Sequence, residues 1–117
     1  MIDDDRPTII INISDGVTQT HLAEVLYGIE EEGIPYTLQS VSHMSAAQAA
    51  HRAAIQSRLG LGVGASAGLV AVTTEKLAED QPYISQNLNA TRELDRAIGS
   101  NAARLVKRIP LRDMSTT

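Results

Sequence analysis

The sequence predicts an α/β fold, a three-layer α/β/α sandwich built on a mixed, mostly parallel sheet. Two observations carry this reading. Thr8–Val41 runs strand, helix, strand within 34 residues, a βαβ unit whose crossover is normally right-handed and parallel. Downstream, an alanine-rich helix, a glycine-rich hairpin and a long closing helix follow one another without a linker or internal repeat. At 117 residues the chain fits one domain, 1–117, with 1–7 and 113–117 expected to fray. A content of 43% hydrophobic and 21% charged residues is that of a globular chain. Phe and Trp are absent, so Ala, Val, Ile and Leu must do the packing.

"TIIINIS" (Thr8–Ser14) is a β-branched run that suits a strand buried on both faces. After the loop "DGVTQ", Thr20 is the expected N-cap of a helix from about His21 to Glu32. Leu22, Val25, Leu26 and Ile29 fall at i, i+3, i+4 and i+7 and form its apolar stripe; Gly33 is the stop. "PYTLQSV" (Pro35–Val41) reads as the second strand. Ser45 opens the alanine-rich helix, expected to reach about Leu59, with small faces that allow close approach. "GLGVGASAGLVAVTT" (Gly60–Thr74) reads as a hairpin with Gly68 in its turn. "ISQNL" suits an edge strand. Thr91 precedes the last helix, with a stripe of Leu94, Ile98, Ala102, Leu105 and Ile109, Lys107 and Arg108 at its C-terminus, and Pro110 beyond.

The net charge of −4 and the lack of a Lys/Arg cluster argue against nucleic acid as a partner. Without cysteine there is no thiol catalysis and no Cys-based zinc site. The acidic start lacks an apolar h-region, and no apolar run approaches the roughly 18–20 residues that span a bilayer. These features lead us to expect a cytoplasmic protein without membrane contact. "GLGVGASAG" lacks the Lys-Ser/Thr of a P-loop and leads from helix into strand, the reverse of a phosphate loop. His21, His43 and His51 lack metal-ligand spacing, and no Gly-x-Ser-x-Gly elbow exists. No residue is therefore expected to be catalytic, and no cofactor is expected on this chain alone. One alternative is a small flavodoxin-like nucleotide-binding or regulatory domain using the loop "INISDG", where Asp15 could bind Mg²⁺ or accept a phosphate.

"GIEEEGIPY" (Gly28–Tyr36) poses the sharpest question. It places Glu30, Glu31 and Glu32 at a helix C-terminus, where an anion costs about 0.3–1 kcal/mol. At about 100° per residue, Glu31 points away from the Leu22–Ile29 stripe. Glu24 and Tyr27 share its outward stripe, and Gly28 beside it would leave the helix surface bare. Either this is a solvated acidic face, or Glu31 meets a cation supplied by another protein, a basic side chain or a bound metal. Mg²⁺ and Ca²⁺ take such oxygen ligands and often only one or two carboxylates from one source.

"LYGIEEEGIPYTLQ" (Leu26–Gln39), the "GVGAS" region and "SNAARLVKRIPLRDM" (Ser100–Met114) together resemble the small subunit of diol and glycerol dehydratase reactivases, more closely the diol branch. The likeness runs from about Thr8 to Met114. Loop 14–20 and helix 45–59 depart from the family pattern, so it assigns them no role. The resemblance implies an anticodon-binding-domain-like fold. It further implies a non-catalytic small subunit in a chaperone of two large and two small subunits. That chaperone releases damaged cobalamin from an adenosylcobalamin-dependent dehydratase. The large subunit would hold ATP or ADP and be the ATPase, and the small subunit would swap into the place of one of the dehydratase's own. The resemblance makes Glu31 a ligand of a Mg²⁺ shared with the large subunit, and the outward stripe around it then gives an expected partner interface of Glu24, Tyr27, Gly28 and Glu31. It leaves open the diol or glycerol client, the state of the isolated chain, and entry into a bacterial microcompartment.

Overall fold

The computed structural model of the chain describes residues 6–114. Five strands form one sheet: β1 (Ile9–Ile13), β2 (Tyr36–Ser40), β3 (Leu61–Ser66), β4 (Leu69–Thr74) and β5 (Ile84–Asn87), in the order β2-β1-β3-β4-β5. Three helices cover it: α1 (Ala23–Glu31), α2 (Ala46–Gln56) and α3 (Arg92–Lys107). α2 lies on β1, β3 and β4, whereas α1 and α3 pack together over the opposite face. The α/β layering and mixed sheet agree with the sequence reading. The balance of directions does not, because the sheet is half parallel and half antiparallel. β1 pairs parallel with β2 and β3, while β4 pairs antiparallel with β3 and β5. A two-residue turn, Ala67-Gly68, forces the third pair: both residues have positive φ, which matches the twist of a tight hairpin.

The sheet's two faces differ in side-chain size. Ile9, Ile11, Val63, Val70 and Val72 form the large-residue core with α1 and α3. The other face offers Gly62, Gly64 and Ala71 to the alanines of α2. A Cβ at Gly62 or Gly64 would strike the α2 backbone at Ala50, so these glycines set how closely that helix approaches. Asn12, buried on this face, donates from Nδ2 to Ala49 O at 3.1 Å.

Helix ends shift slightly from expectation. Thr18, not Thr20, begins the first helical segment, which opens as a 3-10 turn, Gln19–Leu22. His21 Nδ1 accepts the Thr18 N–H at 3.0 Å, and that turn ends before α1 starts. Ser45 caps α2 by accepting from Gln48 N at 3.1 Å, and the helix stops at Gln56 rather than Leu59. Ser57 is extended there and sends its hydroxyl to Thr8 O. Thr91 caps α3, as expected, by accepting from Leu94 N at 3.0 Å. Arg108 is left-handed (φ 60°) and ends that helix. Ile109 therefore falls outside the stripe and is 42% exposed, while Leu105 is only partly buried. Beyond α3 the chain turns back. Asn101 accepts from Arg112 N at 2.6 Å and donates to Arg112 O at 3.0 Å, and Met114 packs on the core. The expected frayed ends fall mostly outside the described residues. Among the described residues, no helix is long and apolar enough to cross a membrane.

Candidate functional site

The α1–α3 pair brings most of the acidic helix and its cations together. The pairing advances in step along both chains: Glu24 meets Arg96, Gly28 meets Ser100, and Glu32 meets Arg104. The helices therefore run parallel, and their C-termini lie side by side. Two glycines allow the contact. A Cβ on Gly28 would meet Arg96 O and Ser100 N, and one on Gly99 would meet Val25 O. Gly28, expected on a bare partner-facing surface, is instead buried under α3. The helical wheel gave its direction from the apolar stripe, but α3 covers a wider arc of α1 than that stripe marks.

Each of the three glutamates has its own partner inside the chain. Glu32 accepts from Ser100 Oγ (2.6 Å), Arg104 Nε (2.8 Å) and Lys107 Nζ (2.8 Å). Lys107 Nζ also donates to Glu32 O at 3.0 Å, so a cation does serve this helix end, borrowed from α3. These donors, Lys107 first, hold the Glu32 carboxyl at about 2, well below its ordinary 4.5. Glu30 Oε2 accepts the Tyr36 hydroxyl at 3.0 Å. Burial first, then this bond, raises the phenol's pKa. Glu31 Oε2 takes Arg96 Nη1 at 2.7 Å, and its side chain stays 50% exposed. The run is therefore neither wholly solvated nor wholly turned to another protein: Glu32 closes the C-termini of both helices.

Arg96 is the hub. Its Nε and Nη2 both donate to Glu24 Oε1, at 3.0 and 2.7 Å, and its guanidinium lies 5.4 Å from the Tyr27 ring centroid. Glu24 in particular raises the guanidinium pKa. An open cleft beside it is lined by Glu24, Arg92, Glu93, Arg96 and Arg112. Tyr27, Glu24 and Glu31 thus converge on one cation, which the outward-stripe reading did not anticipate. The signal was there in spacing: Glu24, Gly28, Glu32 and Arg96, Ser100, Arg104 step by four, but nothing in either set names the other.

The remaining candidates stand apart. Asp15 (φ 40°) accepts the His43 N–H at 3.4 Å and so ties the loop after β1 to the loop after β2. His51 sits in α2, remote from the His21 turn in the sequence order of elements. Among the described residues, no three His, Asp or Glu side chains converge as a metal site.

A family model described as the dehydratase medium subunit matches residues 6–112. The chain belongs to the dehydratase medium subunit family. A curated relative is the propanediol dehydratase-reactivating factor small subunit of Citrobacter freundii. It is 38% identical over 107 residues, which cover 92% of this chain and 91% of the relative. A solved structure of diol dehydratase-reactivating factor complexed with ADP and Mg²⁺ superposes with a TM-score of 0.88 at 37% identity. The match covers 93% of this chain and 100% of the other. A glycerol dehydratase reactivase gives a TM-score of 0.85 at 29% identity, with 93% and 100% covered. Within the medium subunit family the likeness is thus to reactivating-factor small subunits, with higher identity to the diol than to the glycerol structure.

Proposed function

We propose that the chain is the non-catalytic small subunit of an ATP-dependent reactivating factor for adenosylcobalamin-dependent diol or glycerol dehydratase. One observation carries the reading: a dehydratase medium subunit model matches residues 6–112, although the relatives are reactivating-factor subunits. A chain with a dehydratase subunit's fold can present that subunit's packing surfaces. By taking its place, it would loosen the cofactor site and let damaged cobalamin leave. The ATPase would be the large subunit, two copies with two of this chain, in the cytoplasm. The anticodon-binding-domain-like description of the fold belongs to the same reading.

Glu31, with Tyr27 and Glu24, would face the large subunit. Glu31 fits a shared Mg²⁺ as one donor among several. It is a hard oxygen ligand, half exposed, and its Arg96 bond occupies Oε2 only. Such an ion would join carboxylates of two chains that otherwise repel. The test mixes this chain, the large subunit and turnover-inactivated dehydratase with ATP and Mg²⁺. We expect stable association with the large subunit, and cobalamin release only when this chain is present. No association with the large subunit, or equal release without this chain, overturns the reading.

A further inference from the structure

We infer that Arg96 is the positioning residue of the partner-facing carboxylate: it locks Glu31 in one rotamer so that the second oxygen is presented to a divalent cation. The inference rests on the reading of Glu31 above and goes beyond it in assigning roles to Arg96 and Glu24.

The other two glutamates of the run are committed elsewhere. Glu32 has only 12% of its side chain exposed and binds three donors, and Glu30 is turned towards Tyr36. Glu31 is half exposed and held through a single oxygen. What holds it has further contacts of its own. Two of the three Arg96 donors in use go to Glu24, the guanidinium lies beside Tyr27, and the Arg96 backbone abuts Gly28 at the helix crossing. A planar guanidinium with a fixed donor fork defines a direction as well as a charge, which a lysine cannot do.

Within the hydrogen-bonded trio the charge balance also suits a cation, although Arg92 and Arg112 line the cleft beside it. Arg96 alone would neutralise Glu31 and repel a divalent ion. Glu24 leaves the Glu24–Arg96–Glu31 set with one net negative charge. The Arg96 bond would thus restrict, before binding, part of the rotamer freedom that an exposed glutamate loses on binding. Outer partners that orient a ligand in this way change metal affinity about 10–100-fold when removed.

The experiment measures affinity for the large subunit, in Mg²⁺ and after chelation, for the full chain and for Arg96→Gln, Glu24→Gln and Glu31→Gln. Thermal unfolding checks each fold. We expect Arg96→Gln and Glu24→Gln to weaken Mg²⁺-dependent binding about 10–100-fold, and to weaken binding after chelation far less. If Glu31→Gln weakens binding while Arg96→Gln preserves or tightens it, Arg96 competes with the cation. The inference then fails and the reading of Glu31 stands. If neither Glu31→Gln nor chelation has an effect, the shared-metal reading fails and takes the inference with it. Should Arg96→Gln not fold, Glu24→Gln decides, since it frees the guanidinium without touching Glu31; unchanged Mg²⁺-dependent affinity then overturns the inference.

Discussion

Glu32 is the acid-sensitive carboxylate of the α1–α3 contact. Lys107, Ser100 and Arg104 stabilise its ionised form, against a smaller opposing effect of burial, and lower its pKa from 4.5 to about 2. A carboxylate with a depressed folded pKa contributes stability fully present above pH 4.5 and lost as pH falls towards 2. Asp95 acts oppositely, because burial raises its pKa and acid therefore favours the folded state through it. Urea titrations of wild type and Glu32→Gln isolate the glutamate. At pH 7 the variant should lose about 1–2 kcal/mol, the scale of a charged hydrogen bond discounted for partly exposed partners. Its stability should also fall less between pH 4.5 and 2 than that of wild type. Parallel curves would mean that Glu32 is solvated and its bonds contribute nothing. Glu31→Gln should cost far less, about 0–1 kcal/mol, as an exposed pair.

At the scale of elements, the feature that shapes the electrostatics is a parallel pair of neighbouring helices. Parallel macrodipoles place like ends together, so the negative C-termini of α1 and α3 need shared cations. Arg104 and Lys107, in the last turn of α3, supply them to both. The arrangement depends on the close approach at Gly28 and Gly99. Gly28→Ala is diagnostic because two effects have opposite signs. On an exposed helix the change would stabilise by about 1 kcal/mol through propensity. Against the α3 backbone it should destabilise by about 1–3 kcal/mol or more, since carbonyl and amide atoms cannot turn aside as a side chain can. A raised midpoint in thermal unfolding would show that the helices do not touch there. The same logic holds on the far side of the sheet, where Gly62 and Gly64 admit α2.

As a whole molecule, the chain is a packing module: two helical layers on a sheet, with Glu24, Glu31 and Glu32 of the α1 segment tied to Arg96, Arg104 and Lys107 of α3. Purified alone, it should turn over ATP no faster than a buffer blank; a saturable rate that follows the protein peak would contradict its assignment as the non-catalytic partner. Much of this architecture was readable from short windows. The β-branched run gave a central strand, Thr91 and Ser45 marked helix starts, Gly33 marked a stop, and Gly68 marked the hairpin turn. Such signals need only a few neighbouring residues, because periodicity and turn chemistry are local. The Leu22–Ile29 stripe told which side of α1 is buried. It could not tell that α3 lies alongside in parallel, nor that Gly28 is beneath it. The "EEE" run likewise announced a need for cations without naming their source. Arg96 lies 65 residues from Glu31 and Arg104 lies 72 from Glu32, and a charge attracts any cation brought near it. Which cation that is depends on how the intervening strands are ordered, so the sequence set the elements and their buried faces, and chain layout set their partners.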